Sequence, residues 1–142
     1  MSRTLFDTNV VLDVLLDRWP FVDASAVVWA AAETGATEGV LAAHALTTIH
    51  YVLRSELGVA KTRRVVSAIL TVFGVADVDA AVIHDALQLS FSDFEDAVTA
   101  AAARLAGCDY IVTRDPRGLR GFSIRCLTPE AAVPLLRNGP RR

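Results

Sequence analysis

Cysteine is scarce. Cys108 and Cys126 are the only two, outside metal-ligand spacing and too few for the sets of four or more that staple a small secreted fold. They read as small buried hydrophobes in a reducing compartment. Long apolar runs are also missing: the longest, Ala26 to Ala32, falls far short of the about 20 residues that cross a bilayer. Met1-Ser2-Arg3 leads straight into a strand without the apolar stretch of a signal peptide. A cytoplasmic chain with no membrane partner is therefore expected. There is no excess of basic charge. At a net charge of −2 no global field draws the chain onto nucleic acid, so such a role must rest on local arginines. The chemical signatures HExxH, GxSxG, the phosphate-binding P-loop and GxGxxG do not occur. His44, His50 and His84 have no zinc spacing, and Cys108 beside Asp109 lacks a catalytic histidine signature. Internal repeats, low-complexity tracts and linkers are absent too.

What is present is core-forming material. Hydrophobic residues make up 53% of the chain, and the mean hydropathy is +0.40, which fits an Ala/Val/Leu-rich core of one domain. Short apolar runs at Leu5-Phe6, Gly39–Ala42, Gly74–Val78, Tyr110–Thr113 and Ser123–Leu127 are expected strands. Helices are expected over Asn9–Leu16, Phe21 to about Thr34, Ala45–Leu57, Val59–Phe73, Ala80–Leu89 and from Ser92 or Asp93 to Ala106, with a last short one opening at Thr128-Pro129-Glu130. Gly35, Gly58 and Gly107 supply stops, and Asp79 a cap. Helices alternating with short strands predict an α/β class: a single-domain three-layer sandwich with a short, mostly parallel sheet of 4–5 strands. The domain is expected over 1–136, with a disordered tail over 137–142.

Four acids, Asp7, Asp93, Asp96 and Asp115, stand where an expected strand hands over to a loop or helix. In open α/β sheets that is where ligands bind. Singly, each has an ordinary role: Asp7 and Asp93 suit helix caps, and acids in a first turn favour the positive end of the macrodipole. Together they are harder to dismiss. Asp93 and Asp96 are three apart and would share a helix face, with Phe91, Phe94 and Val98 suggesting that this end is packed. Carboxylates gathered in one cleft oppose each other's ionisation, and a bound cation relieves that. Oxygen ligands point to Mg²⁺ or Mn²⁺ rather than zinc. Such an ion suits hydrolysis of a phosphodiester. Thr8, Asn9, Thr113 and Arg114 are candidates for supporting contacts or for phosphate, as is Arg117.

These segments resemble the PIN domain family. The likeness is carried by Asp7-Thr8-Asn9-Val10-Val11-Leu12-Asp13, by Asp93-Phe94-Glu95-Asp96-Ala97-Val98, and by Ala106-Gly107-Cys108-Asp109-Tyr110-Ile111-Val112-Thr113-Arg114-Asp115-Pro116, with Ala43–Ile49 matching a helix after the second strand. The resemblance spans about residues 4–135. It implies a Mg²⁺- or Mn²⁺-dependent ribonuclease acting on RNA, commonly the toxin of a type II toxin–antitoxin pair similar to VapC. Carried over by position, Asp7, Asp96 and Asp115 are the metal-binding acids, Asp93 is an extra acid of the site, and Asn9 and Thr113 match polar neighbours. Two departures stand out: Thr48 where many members have a glutamate, and Gly118 where many have a further acid.

The leading expectation is thus a metal-dependent endoribonuclease with a small antitoxin as partner. A second is a catalytically weak PIN-like module that binds RNA or protein. A third, a phosphatase or phosphotransfer domain with Asp7 as nucleophile, lacks the second acid of a DxD motif and a suitable lysine. Homodimerisation is expected from the Ala/Val-rich N-terminal helices.

Overall fold

The structure is a computed structural model and describes residues 1–136; the expected tail over 137–142 lies outside the described residues. Five short strands, β1 (Arg3–Phe6), β2 (Glu38–Ala42), β3 (Gly74–Ala76), β4 (Tyr110–Val112) and β5 (Arg125–Leu127), form one sheet in the order β3-β2-β1-β4-β5. Every pairing is parallel. The chain leaves β1 towards β2 on one side and reaches β4 on the other, so the strand order reverses at the β1/β4 boundary. In such sheets this switch point opens a crevice at the carboxyl ends of the strands.

Alternate side chains of each strand serve opposite faces. Phe6, Leu41 and Val112 enter one core with α1 (Thr8–Leu15), α2 (Val22–Glu33), α3 (Ala43–Leu57), α4 (Val59–Ile69) and α7 (Pro129–Leu136). Leu5, Val40 and Ile111 enter the other, beneath α5 (Ala80–Leu87) and α6 (Phe94–Leu105). With both faces covered, the strands carry continuous apolar residues, as parallel strands do. Residues Ala97 to Ala103 of α6 are all buried. Their small side chains let this helix lie close against the sheet, which brings its N-terminal acids up to the strand ends.

Gly39 makes a comparable approach possible on the other face. A Cβ there would come within 2.8 Å of both Ala32 Cβ and Phe73 Cδ1. Phe73 in turn packs edge-on against Phe6 and Trp29, at 5.0 and 5.1 Å between ring centres. This explains a difference from the sequence expectation. Helix α4 stops at Ile69 rather than running to Phe73, because the chain must turn to insert that ring. The Phe73 amide closes the turn on Ile69 O at 2.9 Å. The last strand begins at Arg125, not Ser123, since its pairing starts opposite Tyr110. The 3₁₀ turn Pro116–Leu119 has no counterpart among the elements expected from the sequence.

Among the described residues no helix is long and apolar enough to cross a membrane. Helix α2 presents Ala26, Val27 and Ala30 to solvent, and Trp19, just before it, is 84% exposed.

Candidate active site

Asp7 follows β1 directly and continues the sheet for one more residue, its amide donating to Val112 O at 2.9 Å. Its carboxylate has two tasks. Oδ1 caps α1 by accepting from the Thr8 amide at 2.8 Å, and Oδ2 accepts from the Thr113 hydroxyl at 2.8 Å. The cap role expected of such an acid is therefore real, yet it uses one oxygen only. The other ties the end of β1 to the residue after β4. Thr113 is buried and anchored on its far side, its amide donating to Leu127 O at 2.9 Å. Thr8 is buried behind Asp7, and Asn9 is exposed on the first turn.

Asp96 lies in the first turn of α6 and is half-buried. No described residue donates a hydrogen bond to its carboxylate, and no cation pairs with it. Burial, and then the charges of Asp93, Asp7, Glu95 and Asp115, push this carboxyl up to about 6. The floor beneath it is Gly118, where an added Cβ would sit 2.7 Å from Asp96 Oδ2. The departure noted in the sequence thus has a physical correlate: a side chain at this position would displace the Asp96 carboxylate.

The other two acids point elsewhere. Asp93 stands just outside α6 as its cap, Oδ1 accepting from the Asp96 amide at 3.0 Å, so one of its oxygens is used by the helix while its charge acts on Asp96. Phe94 is 50% exposed rather than packed, because the first residue of the helix turns outward; Phe91 instead meets Phe122 edge-on. Asp115 is exposed and held by Arg117, whose Nε donates to Oδ1 at 2.9 Å and Nη2 to Oδ2 at 3.2 Å. Those bonds keep the Asp115 carboxyl below the usual carboxylate range. Accordingly, no three His, Cys, Asp or Glu side chains among the described residues converge closely enough to hold one ion. The acids are near enough to feel one another's charge and not yet gathered around a common point. By donor chemistry the set fits a hard cation, all oxygen with one carboxylate unanswered. Completing a ligand set from it requires Asp115 to exchange Arg117 for the ion.

Sequence reasoning missed two features near this edge. One is Asp13, on α1, which is 0% exposed and receives the fork of Arg114. A lone acid among Val10, Val11, Leu12 and Val14 was the available signal, since carboxylates are rarely fully buried unless paired. The other is His44, in the first turn of α3, whose Nδ1 is buried without a partner while Nε2 lies 3.5 Å from Thr99 Oγ1 on α6. Thr48 lies half-buried farther along α3. Cys108 and Cys126 are free, and burial pushes both thiols up to about 11, in keeping with an inert role.

No curated protein sequence matches the chain. Solved structures do. FitAcB from Neisseria gonorrhoeae is 20% identical with a TM-score of 0.70, covering 89% of this chain and 98% of its own. A toxin–antitoxin complex from Klebsiella pneumoniae is 19% identical with a TM-score of 0.67, over 89% of this chain and 97% of the other. VapC20 of Mycobacterium tuberculosis, described as a sarcin–ricin loop cleaving toxin, is 19% identical with a TM-score of 0.66, over 84% and 95%. At these identities the likeness is one of fold. A sequence model of the PIN domain matches residues 3–117. The match takes in β1 with Asp7, the N-terminus of α6 with Asp96, and β4 with Thr113 and Asp115; the chain belongs to the PIN domain family.

Proposed function

We propose that this chain is a Mg²⁺- or Mn²⁺-dependent endoribonuclease that hydrolyses RNA phosphodiesters, and that it is the toxin partner of a small antitoxin protein. The observation that carries this reading is Asp96: a half-buried carboxylate with no hydrogen-bond donor, set in the field of four other acids at the switch point of a parallel sheet. Uncompensated charge of this kind is costly and is relieved by a cation. Support also comes from membership of the PIN domain family and from neighbours in fold described as toxin–antitoxin complexes.

Asp7, Asp96 and Asp115 are the residues that would hold the ion, with Asp93 adding charge. Bound there, the ion would supply Lewis acidity to a phosphodiester. The chain's own part is orientation. The Thr8 amide and the Thr113 hydroxyl fix the Asp7 carboxylate in one rotamer, and Gly118 leaves room for that of Asp96. The apolar surface around Trp19 and Val27 suits an antitoxin or a second copy of the chain.

A second reading, a catalytically weak module that binds RNA or protein, is favoured by the Asp115–Arg117 pair, which occupies one of the three acids. The test is direct. Purified chain is incubated with a pool of structured RNAs in Mg²⁺, Mn²⁺ or EDTA, alongside Asp96→Asn. Metal-dependent cutting is expected from the parent and a loss of more than about 100-fold from the variant, since even outer partners of a metal site cost 10–100-fold. Absence of cutting by folded, inhibitor-free protein would favour the binding module.

A further inference from the structure

We propose that Asp13 is a positioning residue that clamps the segment from Thr113 to Asp115 onto helix α1 and thereby sets the metal affinity of the acidic site. The proposal rests on the ribonuclease reading above. It starts from the one charged side chain among the described residues that is fully buried. Isolated in a protein interior, a carboxylate is strongly disfavoured unless it is paired and hydrogen-bonded. Asp13 is answered twice. The Arg114 fork binds it through Nε, at 3.1 Å from Oδ2, and through Nη2 on Oδ1. Arg18, just beyond α1, adds a contact at 3.7 Å. The Arg114 guanidinium also stacks on Phe21, 4.1 Å from the ring centre.

The geometry has a direction. Past the end of β4 the chain bends at Arg114, and two successive side chains reach different points of α1. Thr113 turns to Asp7, which caps the start of α1, and Arg114 turns to Asp13, near its end. Asp7 and Asp13 are separated along the helix axis by about 9 Å at 1.5 Å per residue. One rigid helix therefore grips two consecutive residues at two points, immediately before Asp115. The Asp115 amide is tied into the same arrangement, 3.4 Å from Thr113 Oγ1. This attachment to α1 adds to the Thr113 amide bond on Leu127 O and extends the hold on the segment one residue closer to Asp115. Arg114 is suited to this by its planar fork, which lysine cannot reproduce.

The test compares the full chain with Asp13→Asn, which keeps the shape and removes the charge, and with Arg114→Lys, which keeps the charge and removes the fork. Each is titrated with Mn²⁺ by calorimetry, melted, and followed by amide hydrogen exchange. The expected result is folded variants that bind Mn²⁺ about tenfold more weakly. Exchange at Thr113 and Asp115, whose amides are the bonded ones of this segment, should be faster, and exchange in α6 unchanged. The double variant should be no worse than either single one, since the two residues act as a unit. Parent-like Mn²⁺ affinity and parent-like exchange in a folded variant would overturn the proposal. If Asp13→Asn does not fold, Arg114→Lys decides the matter alone. If the parent itself binds no Mn²⁺, the ribonuclease reading falls; exchange then judges the clamp, with unchanged protection at Thr113 and Asp115 overturning it as well.

Discussion

On one face of the sheet the Asp13 carboxylate is wholly buried and met by Arg114, Arg18 and the ring-stacked geometry around Phe21. On the other face Asp96 is less buried and met only by other acids. Arginine is not in short supply at this edge: Arg117 adjoins Gly118, which lies against Asp96, yet pairs with Asp115. The difference teaches how to sort acids near a strand end. A carboxylate that the fold has neutralised belongs to the framework. One left without a donor, at a position where ligands bind, is the one to test for a charge that arrives from outside.

The comparison can be broken from either side. Beyond the loss of cutting expected for Asp96→Asn, the largest effect should come from Arg114→Leu. This leaves the Asp13 carboxylate buried with Arg18 alone, and breaking a buried pair costs several kcal/mol. With Arg114 about one-third exposed, we expect a loss of about 2–3 kcal/mol in a denaturant titration. Asp13→Asn should cost less, because the freed guanidinium groups can reach water.

Gly118→Ala tests the Asp96 side. Its Cβ would displace the Asp96 carboxylate, so Mn²⁺ affinity and RNA cleavage should fall about tenfold with little change in melting temperature. A parent-like affinity would show that the carboxylate relaxes without loss.

Smaller still is a pH effect on the metal-free protein. The folded Asp96 carboxyl is raised from 3.8 to about 6, so between these values the folded state binds more protons than the unfolded one. Stability should therefore fall as pH rises through that window, and the full penalty should be present above about 6. After allowance for solvent screening it is on the order of 1 kcal/mol. Saturating Mg²⁺ at neutral pH should remove it by mass action, and Asp96→Asn should flatten the profile. A profile unchanged in that variant would assign the effect to other groups.

The least effect is expected from Arg117→Ala. An ion pair this exposed contributes little, because water screens it. Freeing Asp115 from it should tighten Mn²⁺ binding about twofold, readable by the same titration.

Much of this was legible in the chain. Apolar runs at Leu5-Phe6 and Tyr110–Val112, closed by Asp7 and Thr113, announce parallel strands and mark the edge where a site would lie. Asp79 and Asp93 announce helix starts, and both carry the cap bond. What was hidden depends on orientation. Nothing in the sequence says that Arg114 turns inward to Asp13 while its neighbour Arg117 turns to Asp115, because both are arginines in one loop. Nor does spacing reveal that Asp96 is left without a donor while Asp115 is taken by Arg117. Helix α4 ends early for a tertiary reason, the insertion of Phe73 under Gly39, which no local propensity encodes.

The bond from Thr113 to Asp7 joins residues 106 apart in the chain, and that separation has a consequence in time. A ribosome adds about 5–20 residues each second, so about 5–20 s pass between the two halves of the site leaving the peptidyl-transferase centre. For most of that interval β1 and α1 exist without α6 and β4, and the acidic cleft has only one wall. A chain that cuts RNA would thus be synthesised beside abundant RNA in an incompetent form. Competence would come abruptly, once the β4 segment docks between β1 and β5.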